Sequence, residues 1–151
     1  KNVVEEILEK HGSAKVITIN NLFANIDDLY SFVTLVVKLL ADDGCLIIES
    51  SYLYDMVDNM VFDFIYHEHL SYFTIKSLKK FSEKYGFYLK EVKFLSVKGG
   101  SYRFIFQNKT LKTKKAFMKP LIVSLHSDGH MRIVKIIRKK RYEKKYKINS
   151  L

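Results

Sequence analysis

The sequence predicts an α/β protein in which two buried parallel strands are joined through a helix and an antiparallel strand pair follows. Three observations predict it. Lys15 to Asn20 is a run of β-branched residues, Val16-Ile17-Thr18-Ile19, that reads as a buried strand. Leu29, Phe32, Val33, Val36, Val37, Leu39 and Leu40 make one wide apolar stripe at helical spacing, and Cys45 to Ile48 is a second buried run. Such a strand–helix–strand unit is a right-handed crossover between parallel strands. Later, two strand-like segments are joined by Lys98-Gly99-Gly100, the mark of an antiparallel pair.

The elements follow in order. Asn2 to Lys10 carries Val3, Val4, Ile7 and Leu8 at helical spacing, and His11-Gly12-Ser13 ends it. Asn20 and Asn21 stand where the first strand stops. Asp27-Asp28 cap the long helix, and Asp42-Asp43-Gly44 is its expected stop. Glu49-Ser50-Ser51 ends the second strand. Residues 52–73 are aromatic and irregular. Thr74 caps the next helix, with Ile75, Leu78, Phe81 and Tyr85 inward and Gly86 at its end. Phe87 to Val97 and Ser101 to Phe106 are the paired strands. Beyond Asn108 the pattern decays, although Pro120 to Leu125 is apolar and Met131 to Lys147 reads as a helix with Ile133, Ile136 and Ile137 on one side. The division expected is a body over 1–107 and a basic, helical or frayed tail over 108–151.

Composition narrows the class. The chain has 151 residues, 48% hydrophobic and 14% aromatic, enough for one domain with its own core. Its net charge of +10 belongs to the tail: residues 1–108 hold 12 Lys/Arg against 14 Asp/Glu, and 109–151 hold 14 against 2. Arg138 to Lys147 would attract phosphate backbones. Tyr142 and Tyr146 are too few for base stacking, so a solvated charge run is the reading preferred over a nucleic-acid module. Cys45 is the single cysteine, which excludes a disulfide framework and fits a reducing, cytoplasmic interior. No run of about 20 apolar residues exists, so no membrane span is expected.

Tyr66-His67-Glu68-His69 is the most informative run. Each of these side chains can move a proton or steady a charge, and they lie between a strand and a helix, where open α/β sheets keep their chemistry. Asn20 and Asn21 sit at a strand's carboxyl end, where a cofactor lies in such sheets; turn-forming asparagine is the alternative. His67-x-His69 could start a zinc site, but only His11, His126 and His130 remain as further imidazoles, and no metal is expected.

Four segments together resemble the bacterial sugar C-methyltransferases. Asn20-Asn21-Leu22-Phe23-Ala24-Asn25-Ile26-Asp27-Asp28-Leu29 is similar to their fourth-strand loop, and Glu49-Ser50-Ser51-Tyr52-Leu53 to the end of their fifth strand. Phe62 to Phe73, around Tyr66-His67-Glu68-His69, resembles their signature, and Gly99-Gly100-Ser101-Tyr102-Arg103 their Gly-Gly-Ser-x-Arg turn. The resemblance covers residues 1–107. It implies the carboxyl-terminal half of a Rossmann-like class I methyltransferase sheet. It also implies S-adenosylmethionine as methyl donor and a nucleotide-linked 4-keto sugar as acceptor, methylated on the carbon beside the ketone. That chemistry needs a base for a poorly acidic C–H, and histidine, with a pKa of about 6.5, is suited to it. His69 is the expected base. Tyr66 would hydrogen-bond the sugar or its developing oxyanion, Glu68 would orient an imidazole or accept from a sugar hydroxyl, and His67 is a further candidate. Arg103 would pair with a phosphate of the sugar nucleotide, a surface arginine being the alternative.

Departures from the family pattern bound the expectation. The chain lacks the cysteine-rich zinc module and the glycine-rich cofactor loop, and Asn25 stands where the family usually has a histidine. An amide cannot shuttle protons at neutral pH. The chain is therefore expected to be a fragment that binds S-adenosylmethionine weakly or not at all alone, with a companion N-terminal segment or a homodimer partner covering its bare sheet edge. An inactive remnant, or an interaction module with a basic tail, is the competing reading.

Overall fold

The computed structural model describes residues 3–96, 100–108, 121–126 and 131–135. Helix α1 (Val3–His11) leads into strand β1 (Ala14–Asn20), and a 3-10 turn (Phe23–Asn25) leads into helix α2 (Leu29–Leu39). Strand β2 (Leu40–Ser51) follows, then a short helix α3 (Leu53–Asp58), a 3-10 turn (Phe62–Phe64) and helix α4 (Ile75–Glu83). Strands β3 (Phe87–Leu95), β4 (Ser101–Asn108), β5 (Leu121–His126) and β6 (Met131–Lys135) complete the set. All six strands form one sheet in the order β3-β4-β2-β1-β5-β6. β1 runs parallel to β2 and to β5, and the remaining pairs are antiparallel. The expected crossover and the expected terminal pair are both present.

Alternation along the strands sends one face into the core. Ile17 and Ile19 of β1, Leu46 and Ile48 of β2, and Phe104 and Phe106 of β4 are buried together with Ile7, Val33, Val36, Leu39 and Leu78 from the helices. The helix caps are those expected. Asp28 accepts from the Ser31 amide at 3.0 Å, and Thr74 forms a reciprocal capping box with Ser77.

Two expectations are corrected. The second strand was expected from Cys45, but it begins at Leu40, and α2 ends ahead of Asp42-Asp43-Gly44. Leu40 is extended and buried, so its side chain joins the core as strand rather than as helix. Ala14 faces Leu40 and Val16 faces Cys45, so residues 41–44 bulge opposite the single Lys15, which ion-pairs with Asp43. Gly44 is required there, because a β-carbon would meet the Ala41 carbonyl oxygen at 2.8 Å. The helix expected over Met131–Lys147 is a strand over Met131–Lys135, because the Ile133-Val134 segment pairs with β5, and pairing decides where isoleucine spacing alone does not. Segments 121–126 and 131–135 of the expected tail thus extend the sheet, with β5 parallel to β1. Residues 136–151, with the basic run, lie outside the described residues.

Candidate active site

The loops that follow β1 and β2 meet at the carboxyl ends of those two parallel strands. Immediately after β1, Asn21 turns the chain with φ 52 while its amide donates to the Glu49 carbonyl at 2.9 Å. Asparagine adopts this left-handed conformation more readily than most residues. The turn drops Phe23 into the core, where its ring lies 5.2 Å from Phe73, 6.2 Å from Phe81 and 6.5 Å from Phe32. Burying Phe23 fixes Ala24, whose carbonyl accepts from Leu70 at 2.8 Å and from Ser71 at 3.1 Å. On the other side the Leu53 amide donates to the Phe73 carbonyl at 2.9 Å. The Tyr66–His69 run is therefore pinned to both strand tips by backbone bonds on its C-terminal flank.

The run folds back on itself. His69 Nδ1 lies 2.8 Å from the Phe64 carbonyl oxygen and Nε2 lies 3.2 Å from Tyr66 Oη, with the two rings 4.4 Å apart. A carbonyl only accepts, so Nδ1 carries the proton and the neutral ring offers Nε2 as an acceptor. Tyr72 supports the same carbonyl from 3.4 Å. His69 is half-buried and Tyr66 is exposed. Both line a cavity with Glu68, Phe64, Asn21, Ala24, Asn25, Ser50 and Ser51. Beyond this rim, Tyr102 of β4 packs on Tyr52, and burial, aided by Asp55, pushes its phenol pKa up.

Four of the expected residues, His69, Tyr66, Glu68 and Asn21, are brought together there. Three are not. His67 is exposed, its ring edge-on to Tyr66 at 6.1 Å and outside the cavity lining. Asn20 lies in the sheet, paired with Glu49 on one side and His126 on the other. Arg103 sits on β4 opposite Glu49 and donates to its carboxylate at 2.9 Å. Ser50, Ser51 and Asn25 complete the lining beyond the expected site residues. The signal for the two serines is positional, at the tip of a predicted parallel strand, and that for Asn25 is its place where the resembled family has a histidine. Among the described residues no three His, Cys, Asp or Glu side chains converge to hold a metal, and no helix is long and apolar enough to cross a membrane.

Comparison with known proteins shows the family. A family described as methyltransferase domain matches residues 1–92. The C-methyltransferase NovU of Streptomyces niveus is 39% identical over 99 residues, 66% of this chain, and the chain spans 24% of that protein's length. Among solved structures, the crystal structure of M1.HpyAVI superposes with a TM-score of 0.46 at 16% identity, covering 80% of this chain and 60% of the other. Its SAM complex gives 0.46 at 17%, covering 78% and 55%.

Proposed function

Because the chain belongs to the methyltransferase-domain family, we propose that it forms the acceptor side of a C-methyltransferase that takes its methyl group from S-adenosylmethionine and places it on the carbon beside the ketone of a nucleotide-linked sugar. The observation that carries this reading is the 2.8 Å contact between His69 Nδ1 and the Phe64 carbonyl oxygen. An imidazole with its proton held on Nδ1 presents Nε2 as a base inside a polar cavity at the tips of two parallel strands.

The step follows from the side chains present. The single phenolic proton of Tyr66 serves Nε2 in the resting site. When a keto oxygen enters, the Tyr66 hydroxyl donates to it instead, which uncovers Nε2. Nε2 takes the proton from the adjacent carbon, and the C–H electron pair moves into the enolate, whose oxygen Tyr66 steadies. The carbanionic carbon so formed would be the nucleophile for the methyl group that S-adenosylmethionine would supply when bound. Imidazolium is left at His69 and returns its proton to water. Glu68, exposed at the mouth, accepts from sugar hydroxyls. The cofactor supplies an electrophilic methyl group. Asn21, Ser50 and Ser51, whose amide and hydroxyl groups fit its amino-acid and ribose moieties, would hold it, with Asn20 next to them in the chain.

This reading assigns the glycine-rich part of the cofactor site to a companion segment and places the enzyme in the cytoplasm. Residues 1–151 alone then bind S-adenosylmethionine weakly or not at all, which titration calorimetry measures. The function itself is tested by incubating the full-length protein with S-adenosylmethionine and a set of nucleotide-linked keto sugars. The expected product gains one methyl group on carbon, located by NMR. Methylation on a hydroxyl oxygen, or of no keto sugar, would contradict the proposal.

A further inference from the structure

Helix α3 and the 3-10 turn after it form an apolar groove at the surface, walled by Leu53, Met56, Val57, Val61, Phe62 and Ile65. It shares no lining residue with the cavity at His69. Around it Val57, Met60, Phe62 and Ile65 are 58% to 72% exposed. Large apolar side chains gathered in one exposed patch mark a contact surface. The same surface is acidic. Asp58 and Asp63, next in the chain to Val57 and Phe62, are exposed and have no ion-pair partner among the described residues. Glu5, Asp43, Glu49 and Glu91, by contrast, each hold a lysine or arginine. From Leu39 to Ile75 the sequence has no Lys or Arg to offset the two aspartates.

We infer that this groove is the docking surface for the chain's own basic run, Tyr142-Glu143-Lys144-Lys145-Tyr146-Lys147-Ile148. Tyr146 and Ile148 would meet the apolar wall, and Lys144, Lys145 and Lys147 would meet Asp58 and Asp63. The inference does not depend on the function proposed above. Charge selects this occupant, because the run carries the cations that the groove's surroundings lack. Two copies joined through the same groove would set Asp58 and Asp63 against their equivalents across a two-fold axis, which like charges disfavour. The run also reaches. Lys135 stands at the foot of β6, about 14 Å across three strand spacings and about 20 Å along the strands from the tip of β2. Lys144 lies nine residues further on, and an extended stretch of that length spans about 30 Å. A run tethered to the same chain also has a higher effective concentration at the groove than a free basic peptide.

The test is zero-length carbodiimide cross-linking of the full-length protein, which joins a carboxylate to a lysine only where the two touch. Ordinary and heavy-nitrogen-labelled protein are mixed beforehand, so that mass spectrometry separates links within a chain from links between chains. Links within one chain from Lys144, Lys145 or Lys147 to Asp58 or Asp63 are expected, and their yield should fall severalfold at about 0.5 M salt, where exposed charges are screened. Val57→Asn combined with Phe62→Ser keeps both carboxylates but spoils the apolar wall, and it should also lower the yield severalfold. Both side chains are exposed, so the fold should tolerate the change. Should the double variant not fold, the wild-type links decide alone. Links spread evenly over exposed carboxylates such as Glu6, Asp27 and Glu83 would overturn the inference. So would an undiminished yield in the folded variant, or links found only between labelled and unlabelled chains, which would show a second copy instead.

Discussion

His69 Nδ1 lies 2.8 Å from the carbonyl oxygen of Phe64, five residues earlier, and this one contact decides which imidazole nitrogen is the base. The backbone oxygen cannot donate, so the neutral ring holds its proton at Nδ1 and exposes its lone pair at Nε2. Long-range nitrogen–proton NMR of the neutral protein should therefore show Nδ1 protonated. A signal pattern with the proton on Nε2 would place the base on the wrong side of the ring.

Tyr66 is the natural partner of that lone pair. Tyr66→Phe keeps the ring but removes the hydroxyl that steadies the enolate. A fall in kcat of about 10²–10³-fold is expected, the range for loss of one oxyanion donor. Thermal melting should be nearly unchanged, because Tyr66 is exposed. Unchanged kcat would exclude Tyr66 from the reaction.

Phe23 supports the site from beneath. It is fully buried and touches the rings of Phe32, Phe73 and Phe81. Phe23→Ala should cost about 3–5 kcal/mol in urea denaturation, the usual range for emptying a core aromatic position. It should also loosen Ala24 and, through it, the bonds to Leu70 and Ser71. A loss below about 1 kcal/mol would mean that the loop is held elsewhere.

Acid should weaken the start of α2. The hydroxyl and backbone amide of Ser31 hold the Asp28 carboxyl below its usual range. A depressed folded-state pKa gives stability that is present above the ordinary carboxylate value of about 3.9 and is lost as pH falls through the lowered one. Asp28→Asn keeps a capping side chain without the charge. The melting temperatures of wild type and variant should differ in wild type's favour at pH 5–7 and converge in stronger acid. A gap that widens on acidification would contradict the assignment.

Much of this was legible in the sequence because local rules and tertiary structure agree. The Val16–Ile19 run and the Thr74 cap each describe one element whose partners reinforce it, and so does the stripe from Leu29 except for its last residue, Leu40, which belongs to β2. The early start of β2 was hidden. Ala41-Asp42-Asp43-Gly44 reads as a turn, and only the Ala14–Leu40 pairing shows that the chain is already in the sheet. β6 was hidden for a related reason: Ile133 fits a helix or a strand until β5 stands beside it. In the site, the tight run Tyr66–His69 was visible because its chemistry is contiguous. Ser50, Ser51 and Asn25 join it only through two loops that meet in space, and Arg103 is diverted by Glu49 across the β2–β4 ladder.

Proton abstraction can be isolated from methyl transfer by supplying S-adenosylhomocysteine, which has no methyl group to give. In heavy water the full-length protein should then exchange deuterium into the carbon beside the ketone of its sugar substrate, and His69→Gln should abolish that exchange while still binding the sugar. Undiminished exchange by His69→Gln would contradict the account.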